Sequence, residues 1–144
     1  MATLEQAIAL AVEKHRGQKD KAGAPYILHP LRVLFRLAWD APEAAQIAAV
    51  LHDVVEDTGV TLDDLRAHGF SDEVVAAVNL LSRHSGDSYE QFIERLLPNP
   101  IARLVKRADL EDNMDLKRIP EPGEKDFVRL AKYRRSWETL RKAA

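Results

Sequence analysis

Cysteine is absent from the 144 residues of the chain. Disulfides and thiolate metal ligands are therefore excluded, which fits a reducing compartment. The opening residues, MATLEQAIAL, lack the basic segment and apolar run that a signal peptide needs. No uninterrupted apolar run approaches the roughly 20 residues that span a bilayer. We therefore expect a soluble, cytoplasmic protein with no membrane partner.

An excess of basic charge is missing too, since 21 lysines and arginines stand against 23 aspartates and glutamates. The formal net charge of −2 argues against a general nucleic-acid-binding protein. It leaves room for a locally basic pocket that binds a phosphorylated small molecule. The length and the apolar fraction of 46% suit a single compact domain over residues 1–144. The oligomeric state stays open, and a homo-oligomer is compatible with the sequence.

The alternating pattern of β-strands is also lacking, and apolar residues recur instead at helical spacing. A capping box that begins at Thr3 predicts a first helix to about His15. Pro30 and Pro42 are placed to open the second and third helices, and the third is expected to end near Thr58. Later apolar faces continue the pattern. The sequence therefore predicts an all-α fold, a compact bundle of about six to eight helices.

The end of the predicted third helix, AVLHDVVEDT, is crowded with carboxylates. At roughly 100° per residue, four side chains share an arc about 140° wide: His52, Asp53, Glu56 and Asp57. The ordinary interpretation is an amphipathic helix with a solvated polar face. However, like charges three and four residues apart repel one another, and carboxylates near a helix C-terminus are disfavoured by roughly 0.3–1 kcal/mol each. A divalent metal ion would be the simplest cation to relieve this repulsion.

Two other motifs offer further metal ligands. His29 precedes a proline in ILHP, where the backbone is held extended, although such a histidine is commonly a capping or packing residue. The run KRADLEDNMD turns from apolar to acidic at Asp109, and its ordinary interpretation is a solvated helix end. Together the ligand set would be His29, His52, Asp53 and Asp109. Two nitrogens and two oxygens suit Mn²⁺, Fe²⁺, Zn²⁺ or Co²⁺, and ligand type does not choose among them.

Three motifs in this order, HRGQKDKAGAPYILHP, LHDVVEDT and VKRADLEDN, resemble those of the HD-domain metal-dependent phosphohydrolases. Within that family they are most similar to the hydrolase domain of the RelA/SpoT alarmone enzymes and to their small single-domain relatives, the small alarmone hydrolases. The resemblance covers about residues 5–135. It implies an all-α HD-domain bundle that binds one Mn²⁺ through His29, His52, Asp53 and Asp109. It also implies that pyrophosphate is removed from the 3′ position of a guanosine nucleotide such as (p)ppGpp.

The same resemblance implies roles for the residues around the metal. Glu56 and Asp57 would be catalytic, acting on the nucleophilic water and the transferring phosphate. Lys21 matches a basic residue that faces the substrate phosphates, and Asn113 matches a position near the ribose.

Three further residues carry weaker expectations. Lys106 is expected to help neutralise the developing phosphoryl charge. Tyr26 is a candidate for the wall of the substrate pocket, although such aromatics are more commonly part of the core. His15, on the apolar side of the first helix, is expected to be a structural histidine.

The chain departs from the alarmone hydrolases at two places. Before Lys21 they usually carry an arginine that packs against the purine, whereas this chain has Asp20. After Asn113 they usually have Met-Arg-Thr, whereas this chain has Met114, Asp115 and Leu116. A carboxylate cannot stack as a guanidinium does. Two alternatives therefore stay open: hydrolysis of another nucleotide (an adenosine 3′-pyrophosphate, a dinucleotide phosphate or a nucleoside 5′-phosphate), or a non-catalytic nucleotide-sensing HD module.

Overall fold

The computed structural model describes residues 1–143, and these residues form helices without any strand beyond one isolated bridge between Lys19 and Pro25. The all-α prediction is confirmed. The α-helices of this part of the chain are α1 (Leu4–Lys14), α2 (Leu28–Arg36), α3 (Glu43–Leu51), α4 (Val54–Asp57), α5 (Leu62–Ala67), α6 (Asp72–Leu81), α7 (Tyr89–Leu96), α8 (Pro100–Asn113) and α9 (Glu124–Lys142). A short 3-10 helix, Leu116–Arg118, lies between α8 and α9.

Several helix starts follow directly from local side-chain chemistry. Thr3 forms the predicted capping box, in which its hydroxyl accepts from the backbone N–H of Gln6. Thr61 and Ser71 cap α5 and α6 in the same manner. These caps satisfy N–H groups that have no partner within the helix.

The central helix of the bundle is α3, which packs against α1, α2, α6 and α8. It is short and apolar, and its residues from Ile47 to Leu51 are all buried. Ala45 and Ala49 are fully buried and offer no side chain beyond Cβ, so neighbouring helices can approach closely. The polar residues that directly follow α3, His52 and Asp53, consequently lie in the interior of the molecule or at its edge.

The predicted third helix is divided in two, because the chain bends at His52 and Asp53 between α3 and α4. The His52 side chain donates a hydrogen bond from Nδ1 to the Ala49 carbonyl oxygen, at 2.6 Å. In a continuous helix that carbonyl would accept from the Asp53 N–H. Side-chain competition for a backbone acceptor is a known way to end a helix.

Two other boundaries differ from the sequence expectation. Helix α2 begins at Leu28 and not at Pro30, so His29 lies within its first turn. The helical pattern of residues 101–118 predicts one helix to Arg118, whereas α8 ends at Asn113 and the chain then turns into the 3-10 helix. Both differences bring polar side chains toward the same end of α3. No helix within residues 1–143 combines the length and the apolar character needed to cross a bilayer.

Candidate functional site

Three helices bring four predicted metal ligands together. His29 comes from α2, His52 and Asp53 follow α3, and Asp109 comes from α8. The Nε2 atoms of both histidines and one carboxylate oxygen of Asp53 lie within 4.8 Å of one another. Asp109 Oδ1 lies 2.9 Å from His29 Nε2 and 3.3 Å from His52 Nε2. The structure therefore brings these four residues together, and their role as metal ligands stays a prediction.

The spacing of these atoms suits a common metal ion. Ligands about 2.1 Å from one ion stand about 3.0–3.4 Å apart in octahedral or tetrahedral geometry. Asp53 Oδ2 lies 3.0 Å from His52 Nε2 and 3.7 Å from His29 Nε2, close to that range. His52 Nε2 is buried and makes no well-directed hydrogen bond. An imidazole nitrogen in that state is suited to a cation shared with the neighbouring carboxylates.

The outer nitrogen of each histidine is occupied. His29 Nδ1 lies 2.6 Å from Asp112 Oδ2, and His52 Nδ1 lies 2.6 Å from the Ala49 carbonyl. Because a carboxylate and a carbonyl are acceptors, each Nδ1 carries a proton, and Nε2 is the ring nitrogen that faces the cluster and can bind a metal ion. This is the tautomer that a metal-binding histidine requires.

The electrostatics of the cluster favour bound positive charge. Burial lowers the pKa of His52, but the adjacent Asp53 and Asp109 outweigh it and raise that pKa well above its usual value. Burial raises the pKa of Asp53, yet His52 outweighs it and holds that pKa at about 2. The carboxylates therefore stay ionised, and either protons or a metal ion balance them.

Lys106 supports Asp109 from the other side. Its Nζ donates to Asp109 Oδ2 at 2.8 Å, which leaves Oδ1 facing the histidines. The side chain is only 12% exposed and its ammonium lies 5.0 Å from the ring centroid of Phe92. Burial lowers the pKa of Lys106, but Asp109 outweighs it and raises the pKa above the usual value. The structure thus places Lys106 as a support for a metal ligand, and its contact with a substrate phosphate stays a prediction.

We expect Lys106→Met to lower the free energy of unfolding of the metal-free protein by about 3 kcal/mol, because a buried ion pair loses one partner. Denaturant titration measures this. Lys117→Met is the matched control, since the Lys117 ammonium is 90% exposed and 3.9 Å from its carboxylate partner. The control should change stability by less than about 0.5 kcal/mol. Equal effects in the two variants would contradict the assignment of Lys106.

The two predicted catalytic carboxylates stand beside the metal cluster. Glu56 and Asp57 lie in and at the end of the single-turn helix α4, and solvent reaches both. Tyr26 connects Asp57 to Asp53, since its hydroxyl donates to Asp53 Oδ2 at 2.5 Å and lies 3.3 Å from Asp57 Oδ2. Burial and the Asp53 carboxylate raise the pKa of Tyr26, so it remains a donor. Tyr26 lines a cleft beside the cluster and also contacts Asp53 and Asp57.

Partial burial, together with the charge of Asp53, raises the pKa of Glu56 and of Asp57. The folded protein therefore binds these protons more readily than the unfolded chain, and stability rises as the pH falls through the raised pKa. We expect metal-free Glu56→Gln to be at least as stable as the parent at neutral pH, with the difference vanishing in acid. Thermal unfolding across that range measures this.

Glu138→Gln gives the opposite sign and serves as the control. The Arg141 side chain lowers the pKa of Glu138 by hydrogen bonding. Removing the Glu138 carboxylate should therefore lower the free energy of unfolding at pH values above the usual glutamate pKa. A Glu56→Gln protein less stable than the parent at neutral pH would contradict the raised pKa.

A cleft of about 360 Å³ opens beside the cluster. Its walls include Lys21, Tyr26, Asn113, Arg118, Arg129 and Tyr133. Three predicted substrate-binding residues, Lys21, Tyr26 and Asn113, thus face one space, while Lys106 is not part of its lining. Asn113 joins the cleft to the metal cluster, because its Nδ2 lies 3.3 Å from Asp109 Oδ1 and its Oδ1 accepts from Arg118 at 3.1 Å.

The two positions that depart from the alarmone hydrolase pattern also line the cleft. Asp20 Oδ1 accepts from the backbone N–H groups of Ala22 and Ala24, at 3.0 and 2.9 Å, and so shapes its own loop. Asp20 Oδ2 lies 3.9 Å from Arg118. Leu116 adds an apolar contact from the 3-10 helix. The cleft wall therefore carries an acid–base pair where an arginine was expected from the resemblance.

The structure adds Asp112, Arg118 and Gln18 to the residues that were predicted at this site. Gln18 accepts from His15 Nδ1 at 2.8 Å and donates to the Asp57 carbonyl at 3.0 Å. His15 is accordingly a buried structural residue at the start of the segment between α1 and α2. One available signal was the spacing of Asp112, three residues after Asp109 and hence on the same helix face.

Comparison with known proteins supports this geometry. The family model described as HD domain matches residues 7–112, which include all four residues of the metal cluster. The chain belongs to the HD-domain family. Members of this family hold a divalent metal, and the histidines and aspartate that meet in this HD domain form a group able to bind one.

Curated relatives carry matching names. The mouse and human proteins named guanosine-3′,5′-bis(diphosphate) 3′-pyrophosphohydrolase MESH1 are each 37% identical over 85% of this chain and 74% of their own length. A protein named guanosine-3′,5′-bis(diphosphate) 3′-pyrophosphohydrolase from Aquifex aeolicus is 32% identical over 77% of the chain. The chain spans only 17% of that longer relative.

A solved structure agrees with the fold. It is described as a metazoan ortholog of SpoT that hydrolyses ppGpp, and it superposes with a TM-score of 0.80 at 26% identity. The match covers 98% of this chain and 86% of the other. These relatives confirm the resemblance to the alarmone hydrolases that the three motifs predicted.

Proposed function

We propose that this HD domain is a metal-dependent phosphohydrolase that removes pyrophosphate from the 3′ position of a (p)ppGpp-like nucleotide. The observation that carries the proposal is the meeting of four ligand side chains beside a cleft that contains Lys21 and Asn113. Two carboxylates with raised pKa values, Glu56 and Asp57, stand next to them. The names of the mouse and human relatives point to the same reaction.

The metal site in this proposal is the set His29, His52, Asp53 and Asp109. The proposed ion is Mn²⁺, which the resemblance to the alarmone hydrolases implies, and the nitrogen and oxygen set also suits Zn²⁺, Fe²⁺ and Co²⁺. When bound, such an ion polarises a phosphoryl oxygen and lowers the pKa of water. The Asp112 carboxylate and the Ala49 carbonyl keep the two imidazoles in the required tautomer.

Hydrolysis forms a bond from a water oxygen to phosphorus and breaks the bond from phosphorus to the ribose O3′. The proton released by water goes to Glu56 or Asp57, whose raised pKa values make them effective proton acceptors once ionised. A proton must then be returned to O3′. The same carboxylate can supply it.

The substrate is held by the cleft in this proposal. Lys21 and neighbouring cations offset the phosphate charge. The Asn113 amide contacts the ribose from a position between the cleft and Asp109. Asp20 with Arg118 forms the wall on the side where the base is expected. The partner is therefore a small-molecule nucleotide. We further propose that residues 1–144 act as one domain in the cytoplasm.

A nucleotide panel tests this function. The parent protein is freed of metal, reloaded with Mn²⁺, and supplied with guanosine and adenosine 3′-pyrophosphates, a dinucleotide phosphate and nucleoside 5′-phosphates. Separate assays measure pyrophosphate and phosphate. We expect pyrophosphate from the guanosine 3′-pyrophosphate, and none after chelation of the metal.

The other outcomes contradict the proposal in different ways. If phosphate or pyrophosphate is released only from the adenosine, dinucleotide or 5′-phosphate compounds, the protein is still a phosphohydrolase but its substrate is not the guanosine nucleotide. Metal binding without release from any nucleotide would make this HD domain a nucleotide sensor.

A further inference from the structure

Asp112 is a fully buried carboxylate whose oxygens are all occupied. Oδ2 accepts from His29 Nδ1 at 2.6 Å and forms an ion pair with Arg118 Nη1 at 3.0 Å. Oδ1 accepts from Arg32 at 2.9 Å and from Arg36 at 3.3 Å. A carboxylate has about four acceptor positions. Asp112 therefore has no capacity left for a metal ion, and it stands on the outer side of the His29 ring.

The two histidine ligands are supported unequally. The acceptor behind His52 is a neutral backbone carbonyl, whereas the acceptor behind His29 is the charged carboxylate of Asp112. A hydrogen bond to a charged acceptor is roughly twice as strong as one to a neutral acceptor, and it increases the electron density of the opposite ring nitrogen. His29 is consequently the better oriented of the two imidazoles.

Three arginines hold this acceptor in place from two directions. Arg32 and Arg36 belong to α2, the helix that also carries His29, whereas Arg118 approaches from the 3-10 helix. Arg118 also donates to Asn113 and lines the cleft. A buried ion pair alone would need one such cation. The extra contacts restrict the position of the carboxylate, and hence the direction of the His29 ring.

We infer that Asp112, clamped by Arg32, Arg36 and Arg118, is a positioning residue that orients His29 for metal binding and sets the metal affinity of the site. The inference rests on the proposed function only in taking His29 as a metal ligand. The alternative is that Asp112 is merely a counter-ion that fastens α2 to α8. The two differ in what happens to the metal affinity of a folded variant.

Asp112→Asn separates them, because asparagine keeps the shape and removes the charge. Calorimetric titration of the metal-free protein with Mn²⁺ measures the affinity, and circular dichroism establishes that the variant is folded. We expect Mn²⁺ to bind about 10- to 100-fold more weakly than to the parent, the usual consequence of losing an outer partner of a metal ligand. Binding within about twofold of the parent would overturn the inference.

Asp115→Asn is the matched control. Asp115 accepts from Arg36 at 3.2 Å and touches the same arginine cluster, but it does not contact His29. Its amide variant should bind Mn²⁺ as the parent does. A loss equal to that of Asp112→Asn would show that net charge, and not the contact with His29, sets the affinity, and would overturn the inference.

Two measurements cover the case in which Asp112→Asn does not fold. Arg32→Gln retains the carboxylate and removes one of its supports, so folded Arg32→Gln should bind Mn²⁺ several-fold more weakly, and parental affinity overturns the inference. Nitrogen-edited NMR of the Zn²⁺-loaded parent should find the proton of His29 on Nδ1, and its absence would also overturn it. No nucleotide enters these experiments, so failure of the proposed reaction in the parent is recognised separately.

Discussion

Asp53→Ala is expected to abolish metal binding and pyrophosphate release together. One oxygen of Asp53 lies 3.0 Å from His52 Nε2, 3.7 Å from His29 Nε2 and 2.5 Å from the Tyr26 hydroxyl. Asp109 also lies close to both histidines, but among the described residues only Asp53 contacts Tyr26 as well as both histidines. Alanine therefore removes a ligand charge and the acceptor that orders Tyr26. We expect turnover to fall to the background of the assay.

Calorimetry with Mn²⁺ and a pyrophosphate assay with a nucleoside 3′-pyrophosphate measure the two losses. Asp63→Ala is the matched control, because that carboxylate is 92% exposed and pairs only with Arg66 on the surface of α5. It should leave both quantities unchanged. Full activity of Asp53→Ala would refute the assignment of the metal site.

Glu56→Gln is expected to retain the metal and to lose turnover by about 10²–10⁴-fold, the usual range for removing a general acid or base. Glutamine keeps the length and the hydrogen-bonding shape of the side chain, but it cannot take up a proton from water. Glu56 is outside the four-residue ligand set and is an exposed residue of α4. The metal cluster should therefore survive the change.

This prediction is measured as kcat at saturating Mn²⁺, with the affinity for Mn²⁺ determined on the same preparation. Glu73→Gln is the control, since Glu73 is an exposed residue in the first turn of α6. Loss of Mn²⁺ binding in Glu56→Gln would make Glu56 a ligand. Unchanged turnover would exclude it as a proton acceptor.

The helical class was predicted from short-range patterns, whereas the predicted ligand set combines one local pattern with two distant motifs. Apolar residues at helical spacing and capping residues such as Thr3 and Ser71 act within one or two turns. The unneutralised carboxylates between His52 and Asp57 indicated a cation on local grounds. His29 and Asp109 were then found through the spacing of the family motifs, even though 80 residues separate them.

The break at His52 could not be predicted from periodicity. The hydrophobic pattern continues without interruption from α3 into α4, and a helix is the simplest structure for it. The bend arises from the contact of the His52 ring with the Ala49 carbonyl, and from burial of that ring beside Asp109. A side chain's choice of acceptor depends on what surrounds it, so local propensity did not contain this information.

The amino-acid sequence by itself determined that the protein is helical, that it lacks thiolate ligands, and that histidine and carboxylate groups stand at spacings suited to a metal. The tertiary structure decided which outer residues support them. Lys106 became the partner of Asp109, and Asp112 became the partner of His29 across 83 residues. These pairs depend on how α2, α3 and α8 pack against one another. Charged groups are tolerated in a protein interior only where the packing brings their partners within hydrogen-bonding distance.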